Sequence, residues 1–155
     1  MKPRTNRSDH ERGQSMVELV LSFVVLLILL SGVIDLGRAF FAFMALRDAA
    51  QEGALYGSIY PLDTDGNFNS GGIIYRVQES SNAPVNIKTL SDNGDIAITP
   101  TLIGPVACHG NGIRVVITWT NFPLVFPFWA TFFGGTSTIP LTARVEDTIL
   151  RPPCK

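Results

Sequence analysis

The chain has 155 residues, of which 46% are apolar and only 16% charged, whereas soluble domains usually carry about 25% charged residues. Its length suits one domain, or one domain with an appendage, and its 12 Lys and Arg against 13 Asp and Glu argue against a nucleic-acid-binding protein. The apolar content excludes a disordered chain, and two Cys are too few for a disulfide-built scaffold or a Cys-rich zinc module.

A polar leader, residues 1–13, opens the chain with the sequence MKPRTNRSDHERG. Six of its residues are charged, and four of those are basic. It shows no apolar periodicity, so we expect no fixed structure here.

An apolar run of nineteen residues, MVELVLSFVVLLILLSGVI, occupies positions 16–34, and it contains no charge from Leu19 to Ile34. At about 1.5 Å per residue, a helix of this length reaches roughly 28 Å, which is enough to cross a hydrocarbon core of about 30 Å. A secretory signal has a shorter apolar core followed by a small-residue cleavage site, and no such site follows this run, which therefore predicts a retained single-pass anchor. The alternative, a buried core helix, is rarely apolar on every side for so long.

Basic residues on the two sides of this span predict its orientation. Four precede it in the leader, and only Arg38 and Arg47 follow it closely. Because Lys and Arg collect on the cytoplasmic side of a membrane, we expect a cytoplasmic N-terminus and an extracytoplasmic position for the bulk of the chain.

The helix is expected to continue beyond the membrane through residues 35–57, which contain no Pro and many Ala, Leu and Met. A helix over residues 14–57 would be roughly 66 Å long, about twice the membrane thickness, so its second half must pack against something. Asp35 and Arg38 lie three residues apart and can form an ion pair on one face of this helix.

Small residues recur along the extension at spacings of three and four, which allows another element to approach the helix backbone closely. The alternative is that Ala merely stabilises an exposed helix and that Gly57 caps its end. The members of this packing stripe are Ala42, Ala45, Ala49, Gly53 and Gly57.

Residues 58–155 are expected to form an extracytoplasmic α+β head domain. Ser70 could cap a short helix over residues 72–81. Alternating apolar runs predict four strands, and the Asn93–Gly94 pair between the first two predicts a hairpin turn. The predicted strands are Val85–Leu90, Ile96–Thr99, Ile113–Thr120 and Ile139–Asp147. The fold class is therefore α+β, a long N-terminal helix that extends into a small head with an antiparallel sheet.

An apolar loop follows the third predicted strand, within a stretch that has no charge. It contains Pro123 and Pro127, so it is too short and too broken to be a second membrane span. It either fills the core or forms an exposed surface that meets another subunit or the outer lipid face, and the sequence leaves both alternatives open. Its aromatic residues are Phe122, Phe126, Phe128, Trp129, Phe132 and Phe133.

Two cysteines, Cys108 and Cys154, lie in the head, where oxidising conditions permit a disulfide, with two free thiols as the alternative. In the entropy model the bond would add about 3–4 kcal/mol of stability. We expect no metal site, because His109 beside Cys108 lacks a cluster of further ligands. We also expect no cofactor and no enzymatic activity, because the sequence shows neither a nucleotide-binding motif nor a supported nucleophile.

A glycine and a glutamate stand at the start of the span. Glu18 opens an otherwise uncharged run, and a carboxylate within lipid is energetically expensive. If the chain is cut after Gly13, the new amine of Gln14 could neutralise Glu18 within one chain or between neighbouring chains. The alternative is that Glu18 lies at the level of the headgroups without a partner, and the residues alone leave both open.

The string RGQSMVELVLSFVVLLILLSGVIDLGRAFFAFMALRDAAQEGALYG closely resembles TadE-like proteins of the tight-adherence (Tad/Flp) type IV pilus system. The shared features are RGQ, the Val-Glu pair, the apolar run, the D-x-G-R at Asp35–Arg38 and the A-A-x-E-G-A at Ala49–Ala54. The spacing of Gly13 and Glu18 is similar to the type IV pilin cleavage signature. The head matches such proteins only loosely.

The resemblance implies a pilin-like structural subunit, either a minor pilin or a pseudopilin, with the lollipop architecture of type IV pilins. It also implies a cut by a prepilin peptidase between Gly13 and Gln14, with Glu18 as the assembly glutamate. The implied function is assembly of a Tad-type surface pilus for adherence. The alternative is an unprocessed single-pass envelope protein whose extracytoplasmic head binds a partner or a ligand.

The same resemblance implies the location and the partners of the chain. The location is the cytoplasmic membrane of a prokaryote, with incorporation into a surface pilus. The partners are other pilin-like subunits through the N-terminal helix, the prepilin peptidase, the pilus assembly machinery and the lipid bilayer. No nucleic acid is expected among them.

Overall fold

The computed structural model describes residues 8–126, 130, 134–135 and 137–153. A long helix is followed by two short helices and then by an antiparallel sheet, which confirms the predicted α+β fold with a small head on an extended helix. The elements are α1 (Ser8–Ile59), α2 (Ser70–Glu79), α3 (Ile87–Asp92), β1 (Ile96–Ile103), β2 (Gly112–Pro123) and β3 (Thr138–Thr148).

Helix α1 has 52 residues and is therefore about 78 Å long. It begins at Ser8 rather than at Gln14, so the end of the leader is helical and not irregular. No Pro stands between Ser8 and Ile59, and adding a residue to an existing helix is much easier than starting one. Among the described residues, one helix is long and apolar enough to cross a membrane, and it is Gly13–Ile59 of α1.

The described strands form a sheet in the order β1-β2-β3, with both pairs antiparallel. Side chains along a strand alternate between its two faces, and Ile113, Val115 and Ile117 of β2 are buried on the face that meets α1. Leu46 and Ala50 of α1 lie in the same cluster. The core of the head therefore forms between the sheet, α2 and the second half of α1.

Strand β2 contains a register shift between Trp119 and Phe122, where its pairing with β3 moves from Leu141 to Ile139. Three steps along β2 thus match two along β3, which is the arrangement of a β-bulge. The extra residue turns Phe122 towards α1, where it is buried against Ala39. The predicted strand ended at Thr120 because its alternation stops there, and the bulge allows pairing to continue to Pro123.

The predicted strand Val85–Leu90 is wrong, because Ile87–Asp92 form helix α3. The side chain of Asn86 accepts a hydrogen bond from the Thr89 N–H at 2.9 Å, which is the arrangement of a helix N-cap. The local cap therefore overrides an apolar alternation that is only a few residues long.

The predicted hairpin turn at Asn93–Gly94 is also wrong, because these residues end α3. The N–H of Gly94 donates to Ser91 O at 3.1 Å, and the N–H of Asp95 donates to Leu90 O at 2.9 Å. Gly94 has a φ of +79°, so this is a Schellman motif with glycine in the left-handed conformation.

Helix α2 starts slightly earlier than predicted and has a different cap. The side-chain oxygen of Asn69, rather than that of Ser70, accepts from the Gly72 N–H at 3.0 Å. Ile73 and Val77 of α2 are fully buried and face α1. This helix therefore lies over the second half of the long helix.

Candidate functional site

The residues of the predicted processing site lie on the exposed, apolar part of α1. Gly13, Gln14 and Glu18 are all exposed, as are the large apolar side chains between Met16 and Ile34. A Cβ atom at Gly13 would have no neighbour within 4 Å. The site is therefore accessible to another protein, and Glu18 is free of the head.

Asp35 lies where the exposed first half of α1 meets the head, and it is only 2% exposed. The backbone N–H of Val125 donates to its Oδ1 at 2.9 Å, and that of Phe126 donates to its Oδ2 at 3.0 Å. Arg38 Nη1 lies 3.4 Å from Oδ1, so the predicted ion pair is formed. We call Asp35, Arg38, Val125 and Phe126 the Asp35 cluster.

Arg38 contributes to the same junction through two further contacts. Its Nη1 lies 3.4 Å from Pro123 O, and its guanidinium carbon lies 5.5 Å from the centre of the Phe122 ring, within cation–π range. The negative charge of the Asp35 carboxylate and the positive charge of the Arg38 guanidinium compensate each other. The cluster therefore fixes the start of the β2–β3 connection against the helix.

Phe122 is a core residue, which is one of the two alternatives open for the apolar loop. It is 4% exposed and stacks edge-on against Trp119, with ring centres 5.1 Å apart. Phe126 is half-buried, and its backbone belongs to the Asp35 cluster. The other four aromatic residues of the predicted interaction loop lie outside the described residues: Phe128, Trp129, Phe132 and Phe133.

All members of the predicted packing stripe are buried in the structure, and their neighbours belong to the head of the same chain. A Cβ atom at Gly53 would overlap Val77 Cγ2, and one at Gly57 would lie 2.8 Å from Ile73 Cδ1. Glycine is therefore required for α2 to lie this close to the α1 backbone. Within the described residues, the packing stripe is therefore the surface of α1 on which the head packs.

Cys108 is buried in the loop between β1 and β2, and Asn111 Nδ2 approaches its Sγ at 3.5 Å. Cys154 lies outside the described residues, so the disulfide stays a prediction. The N–H of His109 donates to Pro152 O at 2.7 Å, and that of Gly110 donates to Ile149 O at 3.1 Å. The chain that leads to Cys154 thus runs beside Cys108.

Charged side chains of the head lie on its solvent side. Arg114 Nε and Arg144 Nε contact Glu146 Oε1 at 2.7 and 3.0 Å. Hydrogen bonds from Arg144 and Arg114 hold the pKa of the Glu146 carboxyl below its ordinary value. Because this carboxylate is exposed, the pairs contribute little to stability. A further pair joins Arg76 Nε to Glu52 Oε1 at 2.8 Å and links α2 to α1.

The predicted processing residues, the Asp35–Arg38 pair and most of the packing stripe share one stretch of α1. This stretch is similar to TadE-like proteins. The family model of the TadE-like protein matches residues 13–55, which confirms the resemblance expected from the motifs. No curated protein and no solved structure matches the chain.

The TadE-like segment begins at Gly13 and ends at Leu55, so the match covers the helix and not the head. Within it, the sequence indicated Asp35 and Arg38 as a pair but missed the other partners of Asp35, the amides of Val125 and Phe126. These partners lie 90 or more residues further along the chain. The available signal was the cost of placing an aspartate at the end of a predicted membrane span, because such a carboxylate needs more hydrogen-bond donors than one arginine provides.

Proposed function

We propose that the chain is a pilin-like structural subunit, a minor pilin or pseudopilin, of a Tad-type surface pilus, and that it is not an enzyme. The observation that carries this proposal is the TadE-like match over residues 13–55 on a helix with two distinct halves. The first half is apolar and exposed, as an anchor or an assembly surface requires, and the second half carries the head. Association with a Tad pilus is the coarser part of this proposal, and the TadE-like match supports it.

The proposed location is the cytoplasmic membrane, with the leader in the cytoplasm and the head outside. The uncharged run of α1 supports the anchoring, and the excess of Lys and Arg before it supports the orientation. The partners that we propose are the bilayer, the prepilin peptidase, the pilus assembly machinery and other pilin-like subunits. Because the head covers the packing stripe, other subunits would contact α1 through its exposed first half.

A Gly13→Val variant tests the proposed processing. In cells that express a prepilin peptidase, we expect the parent chain to start at Gln14 and the variant to keep its leader, as measured by mass spectrometry of the membrane-extracted protein. Glycine lets the backbone approach another protein closely, and a β-branched side chain next to the cut removes that access.

Gly37→Val is the matched control for this experiment. Gly13 and Gly37 both lie on α1 with no atom within 4 Å of an added Cβ, so neither change disturbs the folded chain by overlap. The control should be cut normally. A parent chain that keeps its leader beside an active peptidase would favour the unprocessed envelope protein instead.

A Glu18→Ala variant tests the proposed assembly role. Removing a carboxylate from the start of the span favours retention in the membrane, but it also removes the proposed partner of the Gln14 amine. We expect normal processing, a full membrane fraction and roughly tenfold less protein in sheared surface fibres, which corresponds to about 1.4 kcal/mol of lost pairing. Equal amounts of parent and variant in the fibres would contradict the pairing.

A further inference from the structure

The depth of Asp35 in a membrane follows from the rise of the helix. Asp35 lies sixteen residues after Leu19, the first residue of the uncharged run, which is about 24 Å along the helix axis. A hydrocarbon core is roughly 30 Å thick, and any tilt of the helix lengthens the path through it. If Glu18 stands at the inner edge, Asp35 therefore lies inside the outer leaflet rather than above it.

The segment that binds Asp35 has its backbone donors satisfied. The N–H of Leu124 donates to Ser137 O at 2.8 Å, and those of Val125 and Phe126 donate to Asp35. Proline has no N–H, and it stands at position 123 before these residues and at position 127 after them. A loop in water needs no such arrangement, whereas irregular backbone at membrane depth does.

The side chains of this segment continue the apolar surface of the span. Val125 is 66% exposed although its N–H is bound to the helix. Leu124 and Ile139 form one wall of a groove whose other wall includes Ile28, Leu29 and Gly32 of α1. The groove is therefore continuous with the surface that faces lipid.

We propose that residues 123–126, at the end of β2 and the start of the β2–β3 connection, enter the outer leaflet beside α1 and contact lipid acyl chains. The inference rests on the membrane anchoring in the proposed function and adds a second element of the chain to it. In this arrangement the Asp35 carboxylate supplies the hydrogen bonds that lipid cannot supply. The head is thereby held against the membrane at a fixed height until the subunit leaves it.

Photocrosslinking of the full chain in vesicles tests this proposal. The photoreactive residue p-benzoylphenylalanine replaces Val125, Leu29 or Val106 in three separate proteins, in vesicles of phosphatidylethanolamine and phosphatidylglycerol in equal amounts. Leu29 is 64% exposed in the span and reports insertion. Val106 is 54% exposed in the β1–β2 loop, at the far end of the 12-residue strand β2, roughly 36 Å from the Asp35 cluster.

Intact mass spectrometry after irradiation should find phospholipid adducts at positions 125 and 29, with a yield at position 125 several-fold above that at position 106. Adducts at position 29 without any at position 125 would overturn the inference and leave the anchoring intact. Crosslinks from position 125 to a second copy of the chain would also overturn it. Absence of lipid adducts at position 29 would instead contradict the anchoring on which the proposed function depends.

Discussion

Replacing Asp35 with Asn is expected to release residues 124–126 from α1 while the core of the head stays folded. The carboxylate accepts from the N–H groups of Val125 and Phe126 and pairs with Arg38. An Asn side chain offers one acceptor oxygen, and its NH₂ group would face a donor. A buried donor without a partner costs about 1–3 kcal/mol, which predicts roughly 5- to 150-fold more frequent local opening.

Hydrogen exchange of the full chain in detergent micelles measures this opening. The amides of Val125 and Phe126 should exchange faster in Asp35→Asn, whereas that of Ile117, which is buried in the middle of β2, should keep its protection. Asp48→Asn is the matched control, because Asp48 is an exposed aspartate on the same helix. Unchanged protection of both loop amides would show that the carboxylate does not hold this segment.

A Gly53→Leu substitution is expected to weaken the docking of the head on α1 more than any exposed change on this helix. A Cβ at this position would overlap Val77 Cγ2, and Val77 is fully buried with a stiff, β-branched side chain. The remaining leucine atoms would then have to enter a core that is already packed. Overpacking of this kind destabilises by about 1–3 kcal/mol, which exceeds the gain from replacing a helical glycine.

Thermal unfolding of the full chain in detergent, followed by near-ultraviolet circular dichroism, measures this loss. For a chain of this size, each kcal/mol lowers the Tm by about 2–4 °C. Gly37→Leu is the control, because a Cβ there meets no atom within 4 Å and the Tm should not fall. Equal Tm values for the parent and Gly53→Leu would mean that α2 does not require the close approach.

The core strands could be predicted because their signal is local. Ile113, Val115 and Ile117 alternate with exposed or half-buried residues, and this period of two is a property of the extended chain itself. The strand ends could not be predicted in the same way. The continuation of β2 to Pro123 depends on the bulge and on the partner strand β3, which stands later in the chain.

Helix α3 shows where local signals conflict. The alternating run Val85–Leu90 suggested a strand, and Asn93–Gly94 suggested a hairpin turn. The same Asn and Gly types also serve as helix caps, because glycine adopts the left-handed conformation in both settings. Asn86 provided a cap at the other end, and the six-residue helix formed between the two caps.

By itself the sequence determined the apolar span, the pilin-like signature at Gly13 and Glu18, and the presence of the packing stripe on the second half of the helix. These are properties of consecutive residues on one helix, so they follow from helical spacing and residue type. Only the tertiary structure decided that the stripe receives the head of the same chain and that Asp35 binds Val125 and Phe126. The reason is physical, because a hydrogen bond between residues 90 positions apart exists only once the bulge has turned β2 and the loop towards α1.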